Sequence, residues 1–413
     1  MKDQILANLN DPRELEKMYQ TSKVPFRRAF SALYPELKGN ALAEFWHERL
    51  NYESDEINQY TSKGILPVIV ASLVAGVIAK LPAFLHIDQE FFYSRNIGFI
   101  IFPLLTIYFS WQNKLSKSKI VFIACATLLG LIFINSLPDV KKSDTLVLSC
   151  IHLLLFLWSI LGFAFVGRPT NSEEKRLGFL KYNGDLVVMT TLIVIAGGIL
   201  TGITTGLFSL IGYNIKRFYF EHIVVFGLPA APIIGTYLIQ SNPQLVGKVS
   251  PVIAKIFSPL VLVMLVIFLA AVVYSGKDPY NDREFLMIFN ALLIGVIAII
   301  FFSVAGTNRR KSLAEIWVLF LLSAVTVIVN GIAVSAILLR ISAWGITPNR
   351  AAVLGGNVLI LVNLLLVTRQ FFKVISKKEN IAGVGKVISL YLPIYCLWAI
   401  IVTFIFPLLF GFK

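Results

Sequence analysis

The chain has 413 residues, 57% of them hydrophobic and 15% charged, with a mean hydropathy of +0.77. Apolar residues in that proportion, gathered into runs near twenty long, exclude an ordinary soluble domain and predict an all-α, polytopic membrane protein. The net charge of +14 argues against nucleic acid by its distribution: residues 1–63 hold nine Lys/Arg against ten Asp/Glu, and the basic excess lies in short loops between apolar runs.

Residues 1–63 read as a small cytoplasmic helical module. Asp11-Pro12-Arg13-Glu14 is a helix start, with Asp11 as cap and Pro12 at the first helical position. Helices are expected from Arg13 to Gln20, from Pro25 to Tyr34 and from Ala41 to about Tyr52. Leu15, Met18, Phe26, Phe30, Leu33, Leu42, Phe45, Trp46 and Leu50 give them apolar faces at three- and four-residue spacing.

Residues 64–413 form the transmembrane helical domain, with about eleven spans near 64–85, 96–112, 119–137, 145–166, 186–212, 221–240, 251–275, 285–305, 312–339, 350–369 and 387–411. With the N-terminus cytoplasmic, sixteen Lys/Arg fall in inner loops and ten in outer loops and tail, which places the C-terminus outside. The inner group includes Arg309, Arg310, Lys311, Lys377 and Lys378; the outer group includes Arg95, Lys141 and Lys142.

The fifth and sixth spans are the centre of this reading. Gly198, Gly202 and Gly206 share one helix face and would let another helix come into backbone contact. Pro229 and Pro232 have no N–H, so the carbonyls of Val225 and Leu228 lose their helical partners. In lipid such carbonyls must be met by protein or by a water-lined cavity. The pair is therefore either a tight packing core or the wall of a site.

Ionisable groups at membrane depth are candidates by default. Glu221 and His222 open the sixth span, Lys255 interrupts the seventh, and Lys80 and His152 lie in the first and fourth. Asn135, Asn290, Asn330, Asn357 and Asn363 are amides within apolar runs, suited to hydrogen bonds between helices. If several met near Pro229 and Pro232, then Glu221, His222, Lys255, Asn290, Asn330 and Asn357 would line a substrate site. Cys125, Cys150 and Cys396 are too scattered for a disulfide framework or a metal. No residue set is assigned a catalytic or metal role, and no cofactor is expected. The nearest enzymatic remnant is His86-Ile87-Asp88-Gln89-Glu90 in the first outer loop.

Three stretches carry a family resemblance. Arg-Ile-x-x-x-Gly-Ile-Thr-x-x-Arg at 340–350, Ile-Ala-Lys-Ile-Phe-Ser-Pro-Leu at 253–260 and Asp-Pro-Tyr-Asn-Asp-Arg-Glu-Phe at 278–285 resemble an uncharacterised bacterial multipass family, domain of unknown function 4153. The opening, with Leu33-Tyr34-Pro35-Glu36-Leu37-Lys38 and Phe45-Trp46-His47-Glu48-Arg49-Leu50, is similar to its Bacteroidetes-type members. The resemblance implies a bacterial inner-membrane location and brings no activity or site residue.

The leading functional reading is a transporter or channel for a small solute or ion, resting on the glycine-rich and proline-bearing spans. The alternative is a membrane scaffold or sensor that uses residues 1–63 as an interaction module. A polytopic lipid-linked glycosyltransferase ranks third. The expected partners are the lipid bilayer, a small molecule or ion, and a second copy of the chain.

Overall fold

The computed structural model describes residues 1–140, 143–167, 172–210, 214–241, 249–275, 283–305, 312–376 and 379–412. All regular structure among them is helical. The chain divides into two compact units, Met1–Ile69 and Val70–Lys413.

The first unit contains α1 (Lys2–Ala7), α2 (Pro12–Thr21), α3 (Lys23–Leu33), a 3-10 turn at Tyr34–Glu36 and the first part of α4 (Ala41–Leu85). Asp11 caps α2 as its position predicts: its carboxylate accepts the N–H groups of Arg13 at 2.9 Å and Glu14 at 3.2 Å. Asn40 does the same for α4, accepting from Leu42 and Ala43 at 3.0 and 3.1 Å. Ile5, Leu15, Phe26, Phe30, Leu33, Trp46 and Leu50 form a buried core. Tyr19 and Phe26 pack around Trp46 with ring centroids 5.5 and 5.2 Å away. Arg49 lies 4.8 Å over the Trp46 ring and pairs with Glu16 at 2.9 Å. The third helix was expected to end near Tyr52 but continues to Leu85. No proline or glycine lies between Tyr52 and Gly64 to stop it, one interior glycine costs only about 1 kcal/mol against alanine, and the helix also runs through Pro67 and Pro82.

The second unit continues with α5 (Gln89–Gln112), α6 (Lys117–Ser136), α7 (Asp144–Val166), α8 (Ser172–Leu210) and α9 (Lys216–Tyr219). A π-turn at Phe220–Val224 leads into α10 (Val225–Ser241). Then come α11 (Val249–Ser275), α12 (Arg283–Ala305), α13 (Leu313–Trp344), α14 (Pro348–Ile375) and α15 (Ala382–Ile400). A second π-turn, Ile401–Ile405, joins α15 to α16 (Phe406–Leu409).

Nine helices among the described residues are long and apolar enough to cross a membrane, which makes this a multipass membrane protein by helix length and composition. In α11 and α12 the described apolar stretches are the shorter Phe257–Ile267 and Leu292–Ala305. The main core joins Leu293, Val296 and Ile300 of α12, Leu322 and Val329 of α13, Leu364 and Phe371 of α14, and Val384 and Ile388 of α15. Elsewhere α5 packs on α7, and α10 packs on α8.

Two expectations for the fifth and sixth spans are corrected. A Cβ placed on Gly198, Gly202 or Gly206 would meet nothing within 4 Å, so among the described residues the glycine stripe packs no helix of this chain. The close glycine contacts are elsewhere: a Cβ on Gly76 would run into Phe226, and one on Gly355 into Trp398. Secondly, α10 runs unbroken through Pro229 and Pro232. The irregular backbone sits one turn earlier, in the π-turn, where Val225 N–H bonds to Phe220 O and the helix takes up an extra residue ahead of the prolines.

Candidate functional site

The residues expected to share a site fall in separate places. Glu221 and His222 lie exposed in the first π-turn. Glu221 accepts from Arg217 Nε at 2.7 Å, while His222 stacks on Phe218 and its Nδ1 lies 3.1 Å from Phe218 O. Pro229 is buried and Pro232 half-buried on α10, whose next turn meets α8: Thr236 bonds to Tyr182 at 2.8 Å, and Gly235 approaches Leu186 and Thr190. Lys255 belongs to α11, and its side chain lies outside the described residues.

The asparagines do converge, within the C-terminal helices. Asn357 on α14 donates its amide to Asn290 Oδ1 on α12 at 2.8 Å, and Asn330 on α13 donates to the carbonyl of Asn357 at 3.1 Å. Ser323, Thr326 and Asn330 stand at i, i+3 and i+7 on α13 and are fully buried, so they form one polar stripe facing α14. Two turns from Asn330, Thr368 donates to Ser323 at 3.0 Å. Asn363 donates to Tyr395 on α15 at 2.9 Å. Asn330 Oδ1 and Asn363 Oδ1 remain buried without a hydrogen-bond partner among the described residues. The seam therefore ties four helices together and keeps two amide oxygens in reserve.

Sequence reasoning missed three features. Arg95, counted as an outer-loop cation, is buried with 1% of its side chain exposed. It donates to the carbonyls of Ile134 at 2.8 Å and Leu137 at 2.9 Å, pairs with Asp139 at 3.3 Å and lies 4.4 Å over Phe91. Beside it Asn96 and Asn135 exchange amide bonds of 2.9 and 2.8 Å. Asp185, just outside the fifth span expected near 186–212, lies buried within α8, which starts at Ser172. An unbroken helical pattern after Ser172, with Glu173 and Glu174 favourable in the first turn, was the signal.

The third feature is how proline-freed carbonyls are satisfied. Pro407 has no N–H for the carbonyl of Thr403, and Ser149 on α7 donates to it at 2.9 Å. Pro393 leaves the carbonyl of Ser389 in the same state, and Arg176 on α8 reaches it at 3.4 Å. The enzymatic remnant is also structural: Asp88 caps α5 by accepting from Phe91 N–H at 2.8 Å.

Between α14 and α15, Glu379 accepts from Lys373 at 2.8 Å and also from Gln370. The Lys373 hydrogen bond, and then that of Gln370, hold its carboxyl below the usual carboxylate range. A cavity of about 280 Å³ lies where α13 begins, lined by Ser258, Pro259, Ser303, Ser312, Glu315 and Leu319 among others. No three His, Cys, Asp or Glu side chains converge as a metal site among the described residues. The acidic loop 276–282 and the basic loops 168–171 and 306–311 lie outside those residues. No protein-family model, curated protein or solved structure matches this chain.

Proposed function

We propose that the protein is a scaffold or sensor of the bacterial inner membrane, with eleven spans, a cytoplasmic amino end and an interaction module in residues 1–63. The observation that carries this reading is the packing of the first unit. Its helices bury Phe26, Phe30 and Trp46 in a core of their own, while Phe45 remains exposed on its surface. A segment of this length that packs its own core presents a shaped surface, as partner recognition requires.

Transport is the second reading, favoured by the seam through Asn290, Asn330 and Asn357 with its two unpartnered amide oxygens. It ranks below the first because α10 is continuous and Glu221 is engaged by Arg217. The test is a pull-down from membranes of cells expressing the full chain. Capture of a cytoplasmic partner should require residues 1–63 and survive Pro229→Ala. Solute flux in proteoliposomes that is lost in Asn357→Ala and indifferent to residues 1–63 would replace this reading with transport.

A further inference from the structure

We infer that the end of the bundle where α7 finishes holds the phosphate of an anionic phospholipid, clasped by Lys119 and Lys175. The last carbonyls of α7 have no intrahelical donors, and side chains from other parts of the chain meet them one after another. Asn113, which follows α5, donates to the carbonyls of Ala164 and Phe165 at 2.9 Å each. Lys175 on α8 donates to the carbonyl of Val166 at 3.1 Å, and Lys119 in the first turn of α6 donates to that of Gly167. Two ammonium groups from different helices are thus brought to consecutive carbonyls.

Neither ammonium meets a carboxylate among the described residues. Glu173, in the first turn of α8, pairs instead with Lys386 at 3.7 Å, and Glu174 lies exposed. Residues 168–171, outside the described set, are Arg-Pro-Thr-Asn and bring no acidic group. The carboxy end of a helix carries roughly half a negative charge, which offsets only part of the two positive ones. Each ammonium has three N–H donors and uses one on a carbonyl. A phosphate oxygen placed between them therefore finds both charge and donors.

The surface beside the two lysines selects a lipid over a free anion. Lys119 Nζ lies 5.8 Å over the Phe163 ring, and Phe163 packs on Phe122 of α6 with ring centroids 5.5 Å apart. Phe122 is 58% and Phe163 40% exposed, and Ile120 and Val121 are exposed next to them. An apolar strip therefore leads from the ammonium groups along the α6 and α7 pair. An acyl chain can lie on it while its headgroup sits at the rim, a contact that a free phosphate ion cannot make. Phosphatidylcholine brings the same phosphate with a trimethylammonium beside it, so a net anionic headgroup is preferred.

The experiment measures thermal unfolding of the full-length protein in dodecyl maltoside with added phosphatidylglycerol, phosphatidylcholine or inorganic phosphate at equal concentrations. Phosphatidylglycerol should raise the midpoint in a saturable way, and the other two should not. Lys119→Gln combined with Lys175→Gln should weaken phosphatidylglycerol binding about tenfold or more. Each single change should weaken it less, which keeps the comparison available if the double variant does not fold. Lys114→Gln combined with Lys216→Gln removes as much charge from exposed positions that bond neither carbonyl, and should leave the response as it was. An equal response to phosphatidylcholine or to phosphate, an undiminished response once Lys119 and Lys175 are neutralised, or the same loss in the Lys114 and Lys216 pair overturns the assignment. None of these readouts depends on residues 1–63, so the lipid site and the scaffold reading fail separately.

Discussion

Arg95 shows how much one buried side chain can hold in place. Its guanidinium collects the last carbonyls of α6, which the helix end leaves without intrahelical donors, and balances its own charge with Asp139, 77% exposed at the rim. Truncation to alanine strands those two carbonyls, while the exposed Asp139 carboxylate stays solvated. The expected cost is about 1–3 kcal/mol in reversible unfolding, the magnitude of leaving a buried acceptor unsatisfied. Arg95→Lys should recover only part of it, because the flat fork that reaches Ile134 and Leu137 at once is lost. Glu379 works through pH instead. Its pKa is lower in the folded chain than in the unfolded one, so its link to Lys373 and Gln370 is present above the ordinary carboxylate range and is lost as pH falls through the lowered value. Amide exchange in the 379–385 turn, corrected for intrinsic rates, should therefore speed up on acidification, and Glu379→Gln should make it nearly independent of pH.

Elements in this fold are shaped by how their backbone defects are met. Pro393 and Pro407 each leave a carbonyl bare, and each is served by a side chain from a helix far away in sequence, Arg176 and Ser149. Ser149→Ala should cost about 1 kcal/mol, typical of a hydrogen bond between membrane helices. In the double variant with Pro407→Ala, which restores the N–H, most of that cost should vanish; additive losses would mean that the serine acts otherwise. Glycines divide in the same manner. Gly355→Ala forces Trp398 to move and should destabilise by about 1–3 kcal/mol, as overpacking does. Gly202→Ala meets nothing and should be neutral or stabilising by up to about 1 kcal/mol through helix propensity. Both changes are read from unfolding midpoints in the same detergent.

For the molecule as a whole, the helix order was legible because lipid imposes a length on every apolar run. The cap at Asp11 was legible because it needs only its local residue type. What escaped was anything decided by a distant neighbour. Glycines at 198, 202 and 206 have the spacing of a packing face, but spacing does not say whether a helix lies opposite. Pro229 and Pro232 looked like a break, yet the π-turn before them accommodates the strain without one. The asparagines were read as bridges between helices, and that much held. Their convergence on α12, α13 and α14 rather than on α10 depends on which helices pair, which no local pattern encodes.

The bond between Ser149 and Thr403 spans 254 positions of sequence. At ribosomal speeds of roughly 5–20 residues per second, α7 enters the bilayer on the order of ten seconds to a minute before the π-turn that covers its serine face. During that wait Ser149 and Leu148 are without their final neighbours, and lipid is a poor substitute for the first of them. Biogenesis of this protein should thus lean on an insertase or membrane chaperone that shelters half-assembled helices, and cells short of such a helper should degrade it before completion.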